Sequence, residues 1–137
     1  MHKTLAIFAA IVGMTMIGFA QAQQPPVMTQ QTQTIKRIPL QKFEVPGTNF
    51  ETVIGIAEIA PNAMIGRHTH PGPESGYLLE GEITLLVDGE APLPLKAGQS
   101  YKVPARAIHD AKTGPQGAKV IATYVVEKGQ PIASPAN

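Results

Sequence analysis

The sequence contains no cysteine, no long block of like charge and, apart from one N-terminal stretch, no extended apolar run. Without cysteine no disulfide can brace the fold, so a core, a bound metal or a partner subunit must stabilise it. No segment sustains an apolar period of 3.6 residues, which excludes a helical bundle, and no internal repeat is present. Lys3 is the only charged residue within 1–22. Once that segment is set aside, ten basic and ten acidic residues remain and the formal net charge is zero. Nothing in that balance would draw the chain to nucleic acid or to an anionic membrane surface.

The 137 residues suit one domain, and a composition of 43% hydrophobic and 15% charged residues is neither that of a disordered chain nor that of a membrane-spanning one. Met1-His2-Lys3 is a short basic start, and Thr4 to Phe19 is apolar and uncharged. Ala20-Gln21-Ala22 then supplies the small-x-small pattern of a signal-peptidase site. Residues 1–22 therefore read as a signal peptide and Gln23 as the mature start. A retained membrane anchor is the weaker alternative, because the run is shorter than the ~20 residues that span a bilayer. The expected location is the periplasm or the secreted fluid, with no stable anchor after cleavage.

Residues 23–34 are polar, contain proline and lack any period, so they read as a disordered arm. From residue 35 to 130 the texture is of short β-favouring runs separated by turn residues. Strands are predicted at 35–43, 50–59, 63–70, 76–79, 82–87, 92–95, 100–103, 107–110 and 118–126. Thirteen glycines and thirteen prolines punctuate them. Asp88-Gly89 is a hairpin signal, and residues 113–117 are expected to close another hairpin. The tail, 131–137, is expected to be flexible. Many short strands with regular turns imply an all-β barrel or sandwich. The run from Lys119 to Val126 is apolar almost throughout and needs cover on both faces, from which a homodimer is expected.

Beyond the signal segment the chain has three histidines: His68, His70 and His109. His68 and His70 alternate, so both imidazoles leave an extended chain on one face. Glu74 follows just beyond the rigid Pro71-Gly72-Pro73 connection, and His109 would arrive from a distant strand. Imidazoles and a carboxylate suit one divalent ion such as Fe, Mn, Ni, Cu or Zn, with bonds of roughly 2.0–2.2 Å. Each residue alone is a weak signal, and the bland alternative is a set of surface or satisfied core histidines. The coherence of the pattern favours a metal site at His68, His70, Glu74 and His109.

At these positions the sequence resembles the cupin superfamily, the double-stranded jelly roll defined by two motifs. The first, G-x5-H-x-H-x3-4-E-x6-G, is matched by Asn62, His68, His70, Glu74 and Gly81, with asparagine in place of the leading glycine. The second, G-x5-P-x-G-x2-H-x3-N, is matched by Gly98, Pro104, Arg106, His109 and Thr113, with arginine in place of a glycine and threonine in place of asparagine. The resemblance covers roughly 41–126 and implies a jelly-roll barrel, like that of small single-domain bacterial cupins, in which the four named residues bind the metal. Asn62 is expected to adopt the left-handed backbone that glycine usually supplies. Arg106 is read first as a solvent-facing loop residue, with a carboxylate-steering substrate contact as its functional alternative. Tyr101 and Tyr124 are read first as core residues with the hydroxyl satisfied, a substrate hydrogen bond being the alternative, and Tyr77 as facing away from the metal.

These readings imply a mononuclear metal enzyme acting on a small organic molecule. The family resemblance points to dioxygenase-type chemistry, with isomerase or lyase chemistry beside it and Glu74 as a conceivable base. No acid–base pair is visible outside the ligand set. A non-catalytic exported protein that binds or senses a small ligand or a metal is therefore the rival class.

Overall fold

The computed structural model describes residues 34–137. The predicted signal peptide and, but for Thr34, the predicted arm lie outside the described residues. The remainder is all-β: β1 (Ile35–Glu44), β2 (Phe50–Ile59), β3 (His68–Thr69), β4 (Glu74–Val87), β5 (Leu93–Lys96), β6 (Ser100–Val103), β7 (His109–Glu127) and β8 (Ser134–Pro135). They join in one curled eight-stranded sheet. β7 is its hub, pairing antiparallel with β2, β3 and β4.

Alternation along the strands defines an inside and an outside. In β4 the residues Glu74, Gly76 and Leu78 are buried, whereas Ser75, Tyr77 and Leu79 are exposed. Two register shifts between Leu78 and Ile83 then change the phase, so that Ile83, Leu85 and Val87 are the buried set. Without that bulge the second half of the strand would turn its apolar residues to solvent. Leu78, Val103, Val120 and Ala122 pack with Ile83, Leu85 and others into one core. Burying a side chain such as Leu78 contributes roughly 1.5–3 kcal/mol.

Three expectations from the sequence need correction. Residues 113–117 close no hairpin: they lie within the continuous strand β7, which bends at Gly117 (φ 73°) where β4 bends at Gly81 (φ 74°). The backbones touch there, and a Cβ on Gly81 would overlap the Gly117 carbonyl oxygen. Residues 63–70 form a strand only at His68–Thr69. The rest is clipped to β7 by side chains: Thr113 Oγ1 accepts from Ala63 N–H at 2.9 Å and donates to the Ala60 carbonyl at 2.7 Å, and Asp110 Oδ1 accepts from Gly66 N–H at 2.9 Å. Finally, the tail is not loose. Ser134 and Pro135 form β8 against Thr69 and His68.

Candidate metal centre

The register of three strands brings the sequence-predicted residues together. His68 on β3 stands directly opposite His109 at the start of β7. Glu74, first residue of β4, faces Tyr124 far along the same β7. The ring centroids of His68 and His109 are 4.2 Å apart, and His70 lies 4.9 Å from each. One donor atom from each imidazole falls within 4.8 Å of the others. That is close to the span that two bonds of roughly 2.1 Å bridge across one ion.

Backbone carbonyls set the direction of each ring. The Nδ1 atoms of His68, His70 and His109 lie 2.7, 2.6 and 3.0 Å from the carbonyl oxygens of Gly66, Ile132 and Ala107. A carbonyl only accepts, so each Nδ1 carries the proton and each Nε2 turns a lone pair inward. Glu74 Oε2 lies 2.9 Å from His70 Nε2 and 3.4 Å from His109 Nε2. Even so, both nitrogens are buried without a hydrogen-bond partner. Lone pairs facing a carboxylate with no proton between them are costly in a buried place, and a shared cation removes that cost. The donor set therefore fits a metal, and these three imidazoles can hold one divalent ion.

The electrostatics follow from the same crowding. Burial works to raise the Glu74 pKa, but in the ion-free site hydrogen bonds from His109 and His70, once those rings take up a proton, and from Tyr101 outweigh it and hold the carboxyl down at about 2. Burial opposes a charge on His109 too, yet the adjacent Glu74 carboxylate turns its net shift upward. His68 is pushed down, chiefly by burial, with the neighbouring imidazoles adding to it.

Glu74 is itself held from its far side. Tyr101 O–H donates to Glu74 Oε1 at 2.8 Å, leaving Oε2 to face the imidazoles. Tyr101 reaches it by lying over Gly76, its partner across β6 and β4, where any Cβ would overlap the phenol ring. Tyr124 stacks at a tilt on His70, ring centroids 4.8 Å apart. Burial, with the Glu74 charge nearby, pushes the pKa of both phenols up. Both tyrosines pack against the core, as the sequence reading has it, and they also line the site. The signal available was register, since both fall in the same inward row as Glu74. Tyr77 is exposed and points away, as its offset of three from Glu74 predicts.

The four residues sit in a cavity of about 620 Å³ whose other walls are mostly apolar, including Ile35, Val53, Ile65 and Leu85. Arg106 is not on its wall. That residue is exposed in a turn at φ 62° and borders a separate, smaller depression with Thr69 and Glu127. Its backbone N–H, not its guanidinium, serves the site, donating to the His70 carbonyl at 2.9 Å. Among the described residues, Arg67 on the cavity wall pairs with Asp88 and Arg37 has no acidic partner.

A cupin-domain family model, Cupin_2, matches residues 55–126, more than half of the chain. The chain therefore belongs to the cupin domain family. Among curated proteins it is similar to dimethylsulfoniopropionate lyase DddW of Ruegeria pomeroyi, 36% identical over 67 residues, which are 49% of this chain and 43% of that enzyme. The chain thus spans under half the length of that relative. Among solved structures it is similar to an RmlC-like cupin from Shewanella frigidimarina, 25% identical over 63% of this chain and 84% of the other, TM-score 0.51. An oxalate oxidase in complex with the substrate analogue glycolate shares the fold at 19% identity, over 76% of this chain and 56% of its own, TM-score 0.59.

Proposed function

We propose that this protein is an exported mononuclear metal enzyme of the lyase type, acting on a small organic molecule within the barrel. One observation carries the reading: three imidazoles, one carboxylate and two phenols converge in a cavity whose other walls are mostly apolar. His68, His70, His109 and Glu74 would hold the ion. When bound, the ion supplies positive charge that polarises a substrate oxygen and favours the ionised form of nearby acids. The chain's own residues do the rest. Tyr101 keeps Glu74 oriented by its hydrogen bond, and the apolar walls keep water away from the substrate. Tyr124 lines the same cavity, and burial with the nearby Glu74 charge keeps its phenol protonated, so it is placed to hold a proton at Oη. The likeness to a lyase moves the reading from dioxygenase to elimination chemistry.

The test is a turnover screen of protein loaded with iron, manganese, nickel, copper or zinc, using β-substituted carboxylic acids that include dimethylsulfoniopropionate. The expected result is alkene formation without oxygen consumption, lost in His68→Ala. Oxygen uptake would restore the dioxygenase reading. Tight ligand binding with no turnover under any metal would make the protein a binder or sensor. Export is tested by N-terminal sequencing of protein from fractionated cells, with Gln23 the expected first residue. A homodimer is proposed on the outer face of β7, where Ile121, Thr123 and Val125 are half-exposed. Sedimentation giving a monomer at micromolar concentration would remove it.

A further inference from the structure

Two arginines, Arg37 and Arg67, line the cavity. Arg67 is engaged: two of its guanidinium nitrogens contact the Asp88 carboxylate at 2.8 and 2.7 Å. Arg37 has no acidic partner among the described residues, and Glu58 and Glu51 on the adjacent β2 pair instead with Lys36, Lys119 and Lys42. Strand register places Arg37 at the cavity's edge. It pairs with Ala57, between the cavity-lining pairs Ile35–Ile59 and Pro39–Gly55. Its cross-strand neighbours on that face, Ala57 and Gly55, are small and leave room for a long side chain to lie across them. β1 ends the strand order on this side, so Arg37 is exposed to solvent while bordering the same space as the imidazoles. Its positive charge is felt at the Tyr124 hydroxyl, where it offsets part of the upward push from burial and Glu74.

A guanidinium that faces a largely apolar cavity, with no acid to answer it, is suited to a planar anion brought in from outside. Charge balance points the same way. Glu74 is the one carboxylate among the cavity-lining residues. A divalent ion together with Arg37 exceeds its charge, so the loaded cavity attracts anions.

We propose that Arg37 is the ligand anchor of this cavity, and that the ligand is a small organic carboxylate. Its acid group meets the Arg37 guanidinium, and its body lies along Ile35, Val53 and Ile65 toward the imidazoles. The inference rests on reading the cavity as the metal-dependent site, and it names the chemical class which that site takes. It also gives to Arg37 the carboxylate contact that the sequence offered only as an alternative role for Arg106, which was read first as a solvent-facing loop residue.

The experiment is calorimetric titration of zinc-loaded protein with propionate and with propionamide, its uncharged counterpart, in the wild type, Arg37→Gln, Arg37→Lys and Arg106→Gln. Wild type and Arg106→Gln are expected to bind propionate at least about tenfold more tightly than propionamide. Arg37→Gln should erase that preference with zinc content unchanged, and Arg37→Lys should keep part of it. Propionate binding untouched by Arg37→Gln would overturn the anchor, as would wild-type protein that shows no preference for the anion. Zinc lost from Arg37→Gln would also overturn it, because Arg37 would then support the metal site rather than the ligand. Turnover reports on the other reading separately. Propionate binding that depends on Arg37, in a protein that converts nothing, refutes the enzyme and leaves the anchor standing. Turnover indifferent to Arg37→Gln does the reverse.

Discussion

His70 donates its Nδ1 proton to the carbonyl oxygen of Ile132 at 2.6 Å, so a residue of the C-terminal tail fixes the orientation of an imidazole 62 positions earlier. The tail is held in place by β8, which pairs with β3 at His68 and Thr69. Ile132, Ala133 and Ser134 also line the cavity. Removal of 131–137 should therefore leave the β-sheet spectrum intact and weaken metal affinity about 10- to 100-fold, the usual effect of losing such an outer partner. Competition against a chromophoric chelator measures this. Equal affinity in the truncated protein would show that His70 finds its orientation without the tail.

Removing one imidazole should act differently from removing its support. His68→Ala and His109→Ala each delete an inward lone pair, and metal content by elemental analysis should fall sharply in both. His109→Ala also leaves Glu74 Oε2 short of one of the two nitrogens it faces. Undiminished stoichiometry in either variant would remove that residue from the ligand set.

How much of this was legible in the sequence depends on the range of the interaction involved. The pair His68–His70 could be read because alternation is a local property of extended chain. Asn62 could be read as left-handed because asparagine tolerates that region, and it sits at φ 52°. Strands β2 and β6 could be placed because their flanking turn residues are unambiguous. What could not be read was set by distant pairing. The continuity of β7 through Gly117 depends on a matching bend at Gly81 of another strand. The ordering of the tail depends on β3, which is two residues long. Arg37 and Tyr101 carry no local mark of a site at all, since only the register with Ala57 and Gly76 places them at the cavity.

Gly76→Ala tests that last relationship. Its Cβ would overlap the Tyr101 phenol, so the ring must move and the hydrogen bond to Glu74 is lost. Overpacking of this kind costs about 1–3 kcal/mol, which thermal or denaturant unfolding detects. Metal affinity should fall too, because Glu74 loses the contact that aims Oε2 at the imidazoles. Stability and affinity both equal to wild type would mean that Tyr101 has another place to go.

Arg106→Gly should behave in the opposite sense. At φ 62° a side chain with a Cβ is strained by about 1–2 kcal/mol, while glycine in exchange loses more backbone entropy on folding, roughly 0.5–1 kcal/mol. The net expectation is a small gain, up to about 1 kcal/mol, with metal content unchanged because the backbone N–H that contacts His70 remains. A clear fall in melting temperature would reveal a stabilising role for the guanidinium.

The pH at which metal leaves should be set by the imidazoles and not by Glu74. Glu74, held down at about 2, stays ionised throughout the range in which histidine titrates. A proton on Nε2 competes directly with the ion, and His109 takes one before His68 does, because Glu74 raises its pKa despite burial. His68, pushed down by burial, holds out longer. Release is therefore expected as pH falls through ~6, close to the ordinary histidine value. In the ion-free protein the signs run as follows from linkage. The raised His109 gives stability that is complete below ~6.5 and lost as pH rises above its folded value. The lowered Glu74 gives stability present above ~4.5 and lost as pH falls toward about 2. His68 works against this pair, losing stability below ~6.5. Melting curves of loaded and ion-free protein should separate above pH ~6 and converge below it. A loaded protein that keeps its full metal content and its melting advantage at pH 4 would mean that the ion rests on groups other than these imidazoles.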